Sequence, residues 1–401
     1  MSHPRRLVLI IALFVIASHA QDWPTATPKS VGIDAKALAA FDADIAAGKF
    51  GNIDSFTLIR HGKLVIDKRY PHDYAQIYGA EAKKTSPLNP HDPTGPYNYF
   101  NPWWHPWYQR GELHTLQSVS KTITSIVIGV ARNRKEFPDL ETPVMNFFDA
   151  SKVANVDERK RRMTIRHLLT MSAGFDWRED LPYSNSDNTG TQMEASSDWV
   201  EYTIKRPMQY EPGKVYHYNS GATQLLAHIF RVATGTDIEE YAVRHLFTPL
   251  GIKAHYWKRT PSGLVDAEGG LYMRPRDVAK LWYLFLKNGA WEGKQLVSVE
   301  WVKDSLKPHF DLGAGKPDAA GLPKYGLKWW LYPYGKDNEM LAWAGSGFGG
   351  QRPIVLPEYD IVAVYTAWNH GSGPSMRARD AIYRLVEMVT DGGKRIELHT
   401  R

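Results

Sequence analysis

A chain of 401 residues with 43% hydrophobic side chains has enough apolar material for one large core or for two or three smaller ones. Its formal net charge of +6 is modest for that length and argues against nucleic-acid binding, while the absence of cysteine removes disulfides, thiol nucleophiles, thiolate metal sites and lipid-modified cysteine anchors together.

The first element in chain order is a leader. Arg5 and Arg6 precede the apolar run from Leu7 to Ala17, and Ser18-His19-Ala20 places small residues at −3 and −1. That is the pattern of a secretory signal peptide, cleaved near Ala20/Gln21. Losing Arg5 and Arg6 with it lowers the charge from +6 to +4. The apolar run is short for a membrane span, and no later segment approaches the roughly 18 uninterrupted apolar residues that a span needs. The expectation is an exported protein, periplasmic or secreted, with no stable membrane anchor.

Leu38, Phe41 and Ile45 fall at helical spacing ahead of Gly48 and predict a helix over about 34–48. The runs 55–60 and 64–70 around His61-Gly62-Lys63 predict a β-hairpin. From Pro71 to Thr115 the chain bears prolines and the aromatics Tyr97, Tyr99, Phe100, Trp103, Trp104, Trp107 and Tyr108, which predict an ordered segment. It would either overhang a site entrance or wrap the fold, since aromatic side chains serve both. The run Glu158-Arg159-Lys160-Arg161-Arg162 reads as a solvated face. Strands follow at 341–344, 352–356 and 359–365, the last two parted by a Pro357-Glu358 turn, and a helix over about 374–390 closes the chain. Strands at both ends around a helical middle predict an α/β chain of the α+β kind: one antiparallel sheet assembled from both termini, flanked by helices, with a helical insertion. After the signal peptide (1–20) this gives a single domain over 21–401. Its sheet part spans about 21–117 plus 270–401, and its helical part about 118–269.

Three segments carry chemistry. Ser118-Val119-Ser120-Lys121 opens the apolar run Thr122 to Val130, and in a helix positions i and i+3 share a face, so Ser118 Oγ and Lys121 Nζ point into one small volume. An amine among apolar neighbours has its charged form disfavoured and could take the serine proton near neutral pH. The free N–H groups at the helix start would favour an oxyanion. The second segment is Tyr216-His217-Tyr218-Asn219-Ser220, after a Pro212-Gly213 break and before the helical run Ala222 to Phe230; a tyrosine beside the Lys121 ammonium could act as a second base. The third is Trp343-Ala344-Gly345-Ser346-Gly347-Phe348-Gly349-Gly350-Gln351-Arg352, a strand ending in glycines that permit close approach and free N–H groups.

The three segments in this order resemble the serine β-lactamase and penicillin-binding-protein superfamily, in its class C-like, esterase-type branch with the 6-aminohexanoate-dimer hydrolases. Met163 to Gly174, Pro249-Leu250-Gly251-Ile252 and Gly269 to Asp277 also look like that family's phrases, so the resemblance covers nearly all of the mature chain. It implies that Ser118 is the nucleophile, Lys121 its buried partner and Tyr218 the proton shuttle. It further implies an oxyanion hole made by the backbone N–H groups of Ser118 and Ser346, and no cofactor or metal. Two departures stand out. Ser220 occupies the asparagine place of the family's Tyr-x-Asn, as in the dimer-hydrolase branch, and Trp343-Ala344-Gly345 replaces Lys-Thr-Gly. The family's lysine there binds a substrate carboxylate, which tryptophan cannot do, so a small ester or amide is the expected substrate, with weak or no β-lactamase activity. Arg352 is a candidate for the missing charge.

Other readings carry less. Ser186-Asp187-Asn188 matches the class A motif literally but sits in a polar loop. A Ser-His-Asp hydrolase with His114 or His217 as base lacks the G-x-S-x-G elbow. Fifteen histidines include no H-E-x-x-H or comparable cluster. A class C-like β-lactamase or D-amino-acid peptidase is the alternative enzyme, and a non-catalytic penicillin- or peptidoglycan-binding relative is opposed by the intact Ser, Lys and Tyr.

Overall fold

A computed structural model describes residues 23–80, 111–183, 185–315, 321–370, 373–391 and 394–395. The Asp34 carboxylate accepts from the backbone N–H groups of Lys36 and Ala37 at 2.8 and 3.1 Å and starts helix α1 (Ala35–Ala46), which turns Leu38, Phe41 and Ile45 inward. Strands β1 (Ile53–Arg60) and β2 (Lys63–Arg69) are joined through His61 and Gly62, both left-handed at φ 51° and 69°, the backbone a two-residue hairpin turn demands. The main helices α2 (Val119–Asn133), α3 (Ser220–Thr234) and α4 (Pro275–Leu286) come next. Strands β3 (Phe310–Asp311), β4 (Lys324–Tyr325), β5 (Trp330–Tyr334), β6 (Met340–Ala344), β7 (Arg352–Leu356) and β8 (Ile361–Ala367) follow, then helix α5 (Ala378–Glu387).

These strands form one eight-stranded sheet in the order β2-β1-β8-β7-β6-β5-β4-β3. Every neighbouring pair is antiparallel, and both chain ends contribute, as the sequence predicts. Alternate residues of a strand face opposite sides. Ile354, Leu356, Ala363 and Tyr365 accordingly pack with α1 and α5, whereas Val355, Val362 and Val364 join the core under α2, α3 and α4. With both faces covered, the strands read as continuous apolar runs rather than as alternation.

Two ends differ from expectation. The last strand starts at Ile361 rather than 359, because Pro357–Tyr359 forms a short 3₁₀ turn and Asp360 takes a left-handed φ of 49°. The closing helix covers Ala378–Glu387, shorter than 374–390. Of the aromatic segment, Tyr74–Tyr78 is helical and His114–Thr115 is a short strand, while Tyr97 to Tyr108 lie outside the described residues.

Helix α2 is almost wholly buried and is tied to its surroundings by its own hydroxyls. Thr124 Oγ1 donates to the Ala267 carbonyl at 2.9 Å, Ser125 Oγ to Leu327 at 2.8 Å and Thr122 Oγ1 to Lys328 at 2.7 Å. Each bond satisfies a polar group that would otherwise be costly in the core. Together they hold segments 267–268 and 327–328 against the helix. Gly129 is required by packing, since a Cβ there would lie 2.4 Å from the Trp301 indole. Among the described residues no helix is long and apolar enough to cross a membrane.

Candidate active site

Gln117 takes a left-handed φ of 48° immediately before Ser118, which enters the helical region at φ −60° and ψ −8° as the residue preceding α2. A left-handed non-glycine residue is uncommon, and here it turns the chain from the short strand into the helix. One helical turn on, Lys121 Nζ donates to Ser118 Oγ at 3.0 Å, as the i, i+3 spacing predicts. It also donates to the Glu268 carbonyl at 2.9 Å and to Glu268 Oε2 at 2.6 Å, so all three ammonium protons have acceptors.

This corrects the expectation of a neutral Lys121. Burial does push its pKa down, but the Glu268 carboxylate, followed by Tyr218 and Glu179, outweighs burial and holds the ammonium form. Glu268 lies 147 positions from Lys121 in sequence and is carried in by the loop before Gly269-Gly270. Burial likewise raises the Glu268 carboxyl, and the Lys121 charge and hydrogen bond bring it below the ordinary carboxylate value. Burial pushes the carboxyl of Glu194 well up, and the nearby Glu268 charge adds to the rise.

Tyr218 closes the site from the other side. Lys121 Nζ stands 5.2 Å from its ring centroid, Trp330 stacks on it at 6.2 Å, and Ser118 lies near enough to pull its phenol pKa down. Burial raises the phenol pKa and Lys121 lowers it, with a net rise, so Tyr218 rests as a hydroxyl rather than as phenolate. Ser220 is buried at the first turn of α3 and turned toward Glu179: its N–H donates to Oε2 at 2.7 Å and its Oγ to Oε1 at 2.5 Å. Trp177 Nε1 holds the same Oε2 at 2.7 Å. Asn219 caps α3, accepting from the Ala222 N–H at 2.9 Å. Sequence reasoning missed Glu179, Glu194 and Glu268, because no local pattern links them to Ser118.

The glycines of the third segment work by close approach. A Cβ on Gly345 would lie 3.2 Å from Val119 Cγ1, and one on Gly347 would lie 2.4 Å from the Leu116 carbonyl oxygen, so the end of β6 runs directly along residues 116–119. Gly345 N–H donates to Pro353 at 3.0 Å and Gly347 N–H to Gln351 at 2.9 Å, which turns the intervening Ser346 N–H away from β7. Trp343 is half-buried and packs against the core under α2–α4.

Arg352 does not join the site. It shares the face of Ile354 and Leu356, pulls the Tyr332 phenol pKa down against burial and lines a small cavity with Ile53, Tyr365 and Met376 on the α1/α5 side of the sheet. His114 is engaged as well: Nε2 lies 3.0 Å from Asp54 Oδ2 and Nδ1 2.8 Å from the Thr115 carbonyl, with Tyr74 donating to the other Asp54 oxygen at 2.7 Å. The His217 ring packs edge-on against Tyr210 at 5.8 Å. In Ser186-Asp187-Asn188, Asn188 caps the helix Thr189–Ala195 and Asp187 pairs with Arg178 at 3.4 Å on the surface. No group of three or more histidine, aspartate or glutamate side chains among the described residues is arranged to hold a metal.

A two-faced antiparallel sheet flanked by helices, with the serine–lysine turn at the head of a buried helix, defines a β-lactamase/penicillin-binding-protein-like fold. The chain belongs to the Beta-lactamase family, whose profile matches residues 54–387, and proteins similar to it in structure include hydrolases. It is similar to monacolin J acid methylbutanoyltransferase of Aspergillus terreus, 27% identical over 117 residues, a match that spans 29% of this chain and 28% of that protein. In structure it is similar to the "Putative 6-aminohexanoate-dimer hydrolase from Bacillus anthracis" at a TM-score of 0.62 and 18% identity, covering 91% of this chain and 85% of that one. It is also similar to a family VIII carboxylesterase at a TM-score of 0.60 and 15% identity, covering 88% and 96%. At such identities the structural likenesses establish the fold.

Proposed function

We propose that the protein is an exported serine hydrolase that forms an acyl-enzyme on Ser118 with a small ester or amide, and that it turns over β-lactams weakly or not at all. The observation that carries the reading is that Ser118 Oγ accepts from the buried Lys121 ammonium at 3.0 Å, and that the Tyr218 ring stands 5.2 Å from the same Nζ. Ser118 Oγ attacks the carbonyl carbon and gives its proton to Tyr218 Oη, while Tyr218 passes its own proton to the leaving oxygen or nitrogen, so that no free phenolate is needed at rest. The Lys121 ammonium favours the negative charge that develops on these oxygens, and the Ser118 and Ser346 N–H groups receive the carbonyl oxygen. The bond to the leaving group then breaks. Water, deprotonated along the same path in reverse, releases the acid and restores Ser118.

The preference for uncharged small substrates rests on what the third segment lacks. With Trp343 in the lysine place and Arg352 on the other face of the sheet, neither residue offers a cation to a substrate carboxylate. A charge-assisted hydrogen bond is worth about 1.5–3 kcal/mol, so its loss weakens a carboxylated substrate by roughly 10- to 150-fold. The esterase and dimer-hydrolase neighbours agree with that lean. Export follows from the leader: the N-terminus of the secreted protein should read from Gln21, and a mature chain still beginning at Met1 would refute it.

The test is a comparison of initial rates on short-chain p-nitrophenyl esters and on nitrocefin. Ester turnover should exceed nitrocefin turnover in kcat/KM, and Ser118→Ala should reduce it by about 10³-fold or more. Ester hydrolysis that survives in Ser118→Ala would reject the mechanism, and nitrocefin turned over as fast as ester would reject the substrate class.

A further inference from the structure

Four lysines are buried among the described residues. Three of them hold oxygen acceptors. Lys121 has Ser118 and Glu268; Lys160 Nζ donates to the carbonyls of Ala154, Ile204 and Arg206 at 3.0, 2.8 and 2.8 Å; Lys280 Nζ lies 3.3 Å from Asp277 Oδ1. Lys328 differs. It is 1% exposed, and its Nζ meets the thioether sulfur of Met171 at 3.1 Å. A thioether is a weak acceptor that cannot replace the hydration of an ammonium with three donors.

The contact is built into the backbone from both sides. Lys328 and Met171 each hold a left-handed φ, 65° and 57°, which residues bearing a Cβ seldom adopt. The Lys328 N–H donates to the Leu169 carbonyl at 3.1 Å, and its carbonyl accepts from Thr122, the residue after Lys121, at 2.7 Å. The Met171 sulfur also accepts the Asn219 N–H at 3.4 Å, and the Met171 carbonyl accepts the His217 N–H at 2.7 Å. Met171 therefore underlies the segment that carries Tyr218. Two residues beyond Lys328, Trp330 stacks on the Tyr218 ring.

We propose that Lys328 is a positioning residue of this acyl-enzyme site that works as a neutral amine, seating Met171 beneath Tyr218-Asn219, and that its protonation unseats them and closes the acidic side of the activity profile. The proposal rests on Ser118 being the nucleophile. Burial, followed by the Lys121 charge on α2, pushes the Lys328 amine well below the ordinary lysine value, against the pull of Glu179. The 217–219 segment contributes the His217 imidazole, lowered by burial, and the Tyr218 hydroxyl, raised by burial. Tyr325 on β4 and Tyr332 on β5 are both raised by burial. A proton on Lys328 would place a second ammonium near Lys121 with a sulfur for its acceptor. The amine then has to leave Met171 to be solvated, and the Tyr218 segment loses its support.

The test is kcat/KM against pH on an uncharged short-chain p-nitrophenyl ester for the wild type, Lys328→Met and Lys328→Arg, with organophosphonate labelling of Ser118 in each. Methionine keeps the length and removes the amine; arginine carries a permanent charge. Lys328→Met should lose about 2- to 5-fold at the plateau and move its acidic limb down by at least one pH unit. Lys328→Arg should fall at least 10-fold at every pH. If Lys328→Met does not fold, Lys328→Gly suits the left-handed φ and carries the same expectation. An acidic limb that stays in place, full activity in Lys328→Arg, or an equal large loss at every pH in Lys328→Met would each overturn the proposal. So would a loss in Lys328→Met confined to a carboxylated ester, which would make Lys328 an anion receptor. A wild type unlabelled at Ser118 would overturn the site reading itself, whereas a labelled Ser118 with an unmoved limb overturns only the role of Lys328.

Discussion

Lys121 and Lys328 are buried to the same degree, at 2% and 1% exposure, and lie close enough for the charge on one to act on the other. Their chemistry is opposite because their partners differ. Lys121 has a carboxylate at 2.6 Å and stays an ammonium; Lys328 has a thioether at 3.1 Å and is pushed toward the amine. Burial alone does not settle the charge of a lysine, since an ion pair of good geometry outweighs desolvation and a sulfur does not. Lys121, expected from its sequence to be a neutral base, is the cation of the pair, and the depressed amine is Lys328, which touches Met171 rather than Ser118.

The largest test of this contrast is the same substitution at both positions. Lys121→Met should cut ester turnover by about 10³-fold or more, because Ser118, Lys121 and Tyr218 act as one unit. It also strands the Glu268 carboxylate in the core and should cost about 3–5 kcal/mol in denaturant unfolding. Adding Glu268→Gln should recover much of that stability and none of the activity. A Lys121→Met variant with wild-type stability would mean that the Glu268 pair is not formed in solution. Next in size, Tyr218→Phe removes the hydroxyl proposed to exchange the Ser118 proton and little volume, so near-normal folding with turnover lowered by roughly 10²-fold is expected from kinetics and thermal melting. Loss of folding instead would make Tyr218 a packing residue.

Smaller effects probe the surroundings. Trp343→Lys should narrow the gap between ester and nitrocefin kcat/KM by about 10-fold. Arg352→Ala should leave that ratio within about 2-fold, because Arg352 lies on the opposite face of the sheet; a larger change would return it to the site. The smallest effect is on stability at Lys328. A lysine whose folded pKa is depressed binds fewer protons folded than unfolded, so wild-type stability should rise with pH between the folded value and the ordinary value near 10.4. Lys328→Met should lack that rise and, near pH 7, equal or exceed the wild type by up to about 2 kcal/mol. A loss of several kcal/mol, as at Lys121, would erase the contrast.

What the sequence revealed follows from distance along the chain. Ser118 and Lys121 meet because a helix brings i and i+3 together, and the hairpin around His61-Gly62 is equally local. The sheet built from both termini was legible from runs of apolar strand residues at the two ends. Glu268 was not, since its place beside Lys121 depends on the Thr124 bond to Ala267 and on a loop far away in sequence. Arg352 had a readable signal: it alternates in register with Ile354 and Leu356, so it had to share their face once that face was assigned. Lys328 carried none, because its burial and left-handed backbone arise from contacts with residues 122, 169 and 171.

The most direct measurement is the position of the acyl group. The purified protein is treated with an organophosphonate or a short-chain p-nitrophenyl ester, and the adduct is located by intact mass and peptide mapping. Catalysis through Ser118 requires one adduct per chain, on the peptide carrying Ser118, absent in Ser118→Ala and strongly slowed in Lys121→Met. An adduct on another residue, or labelling unchanged in Ser118→Ala, would contradict it.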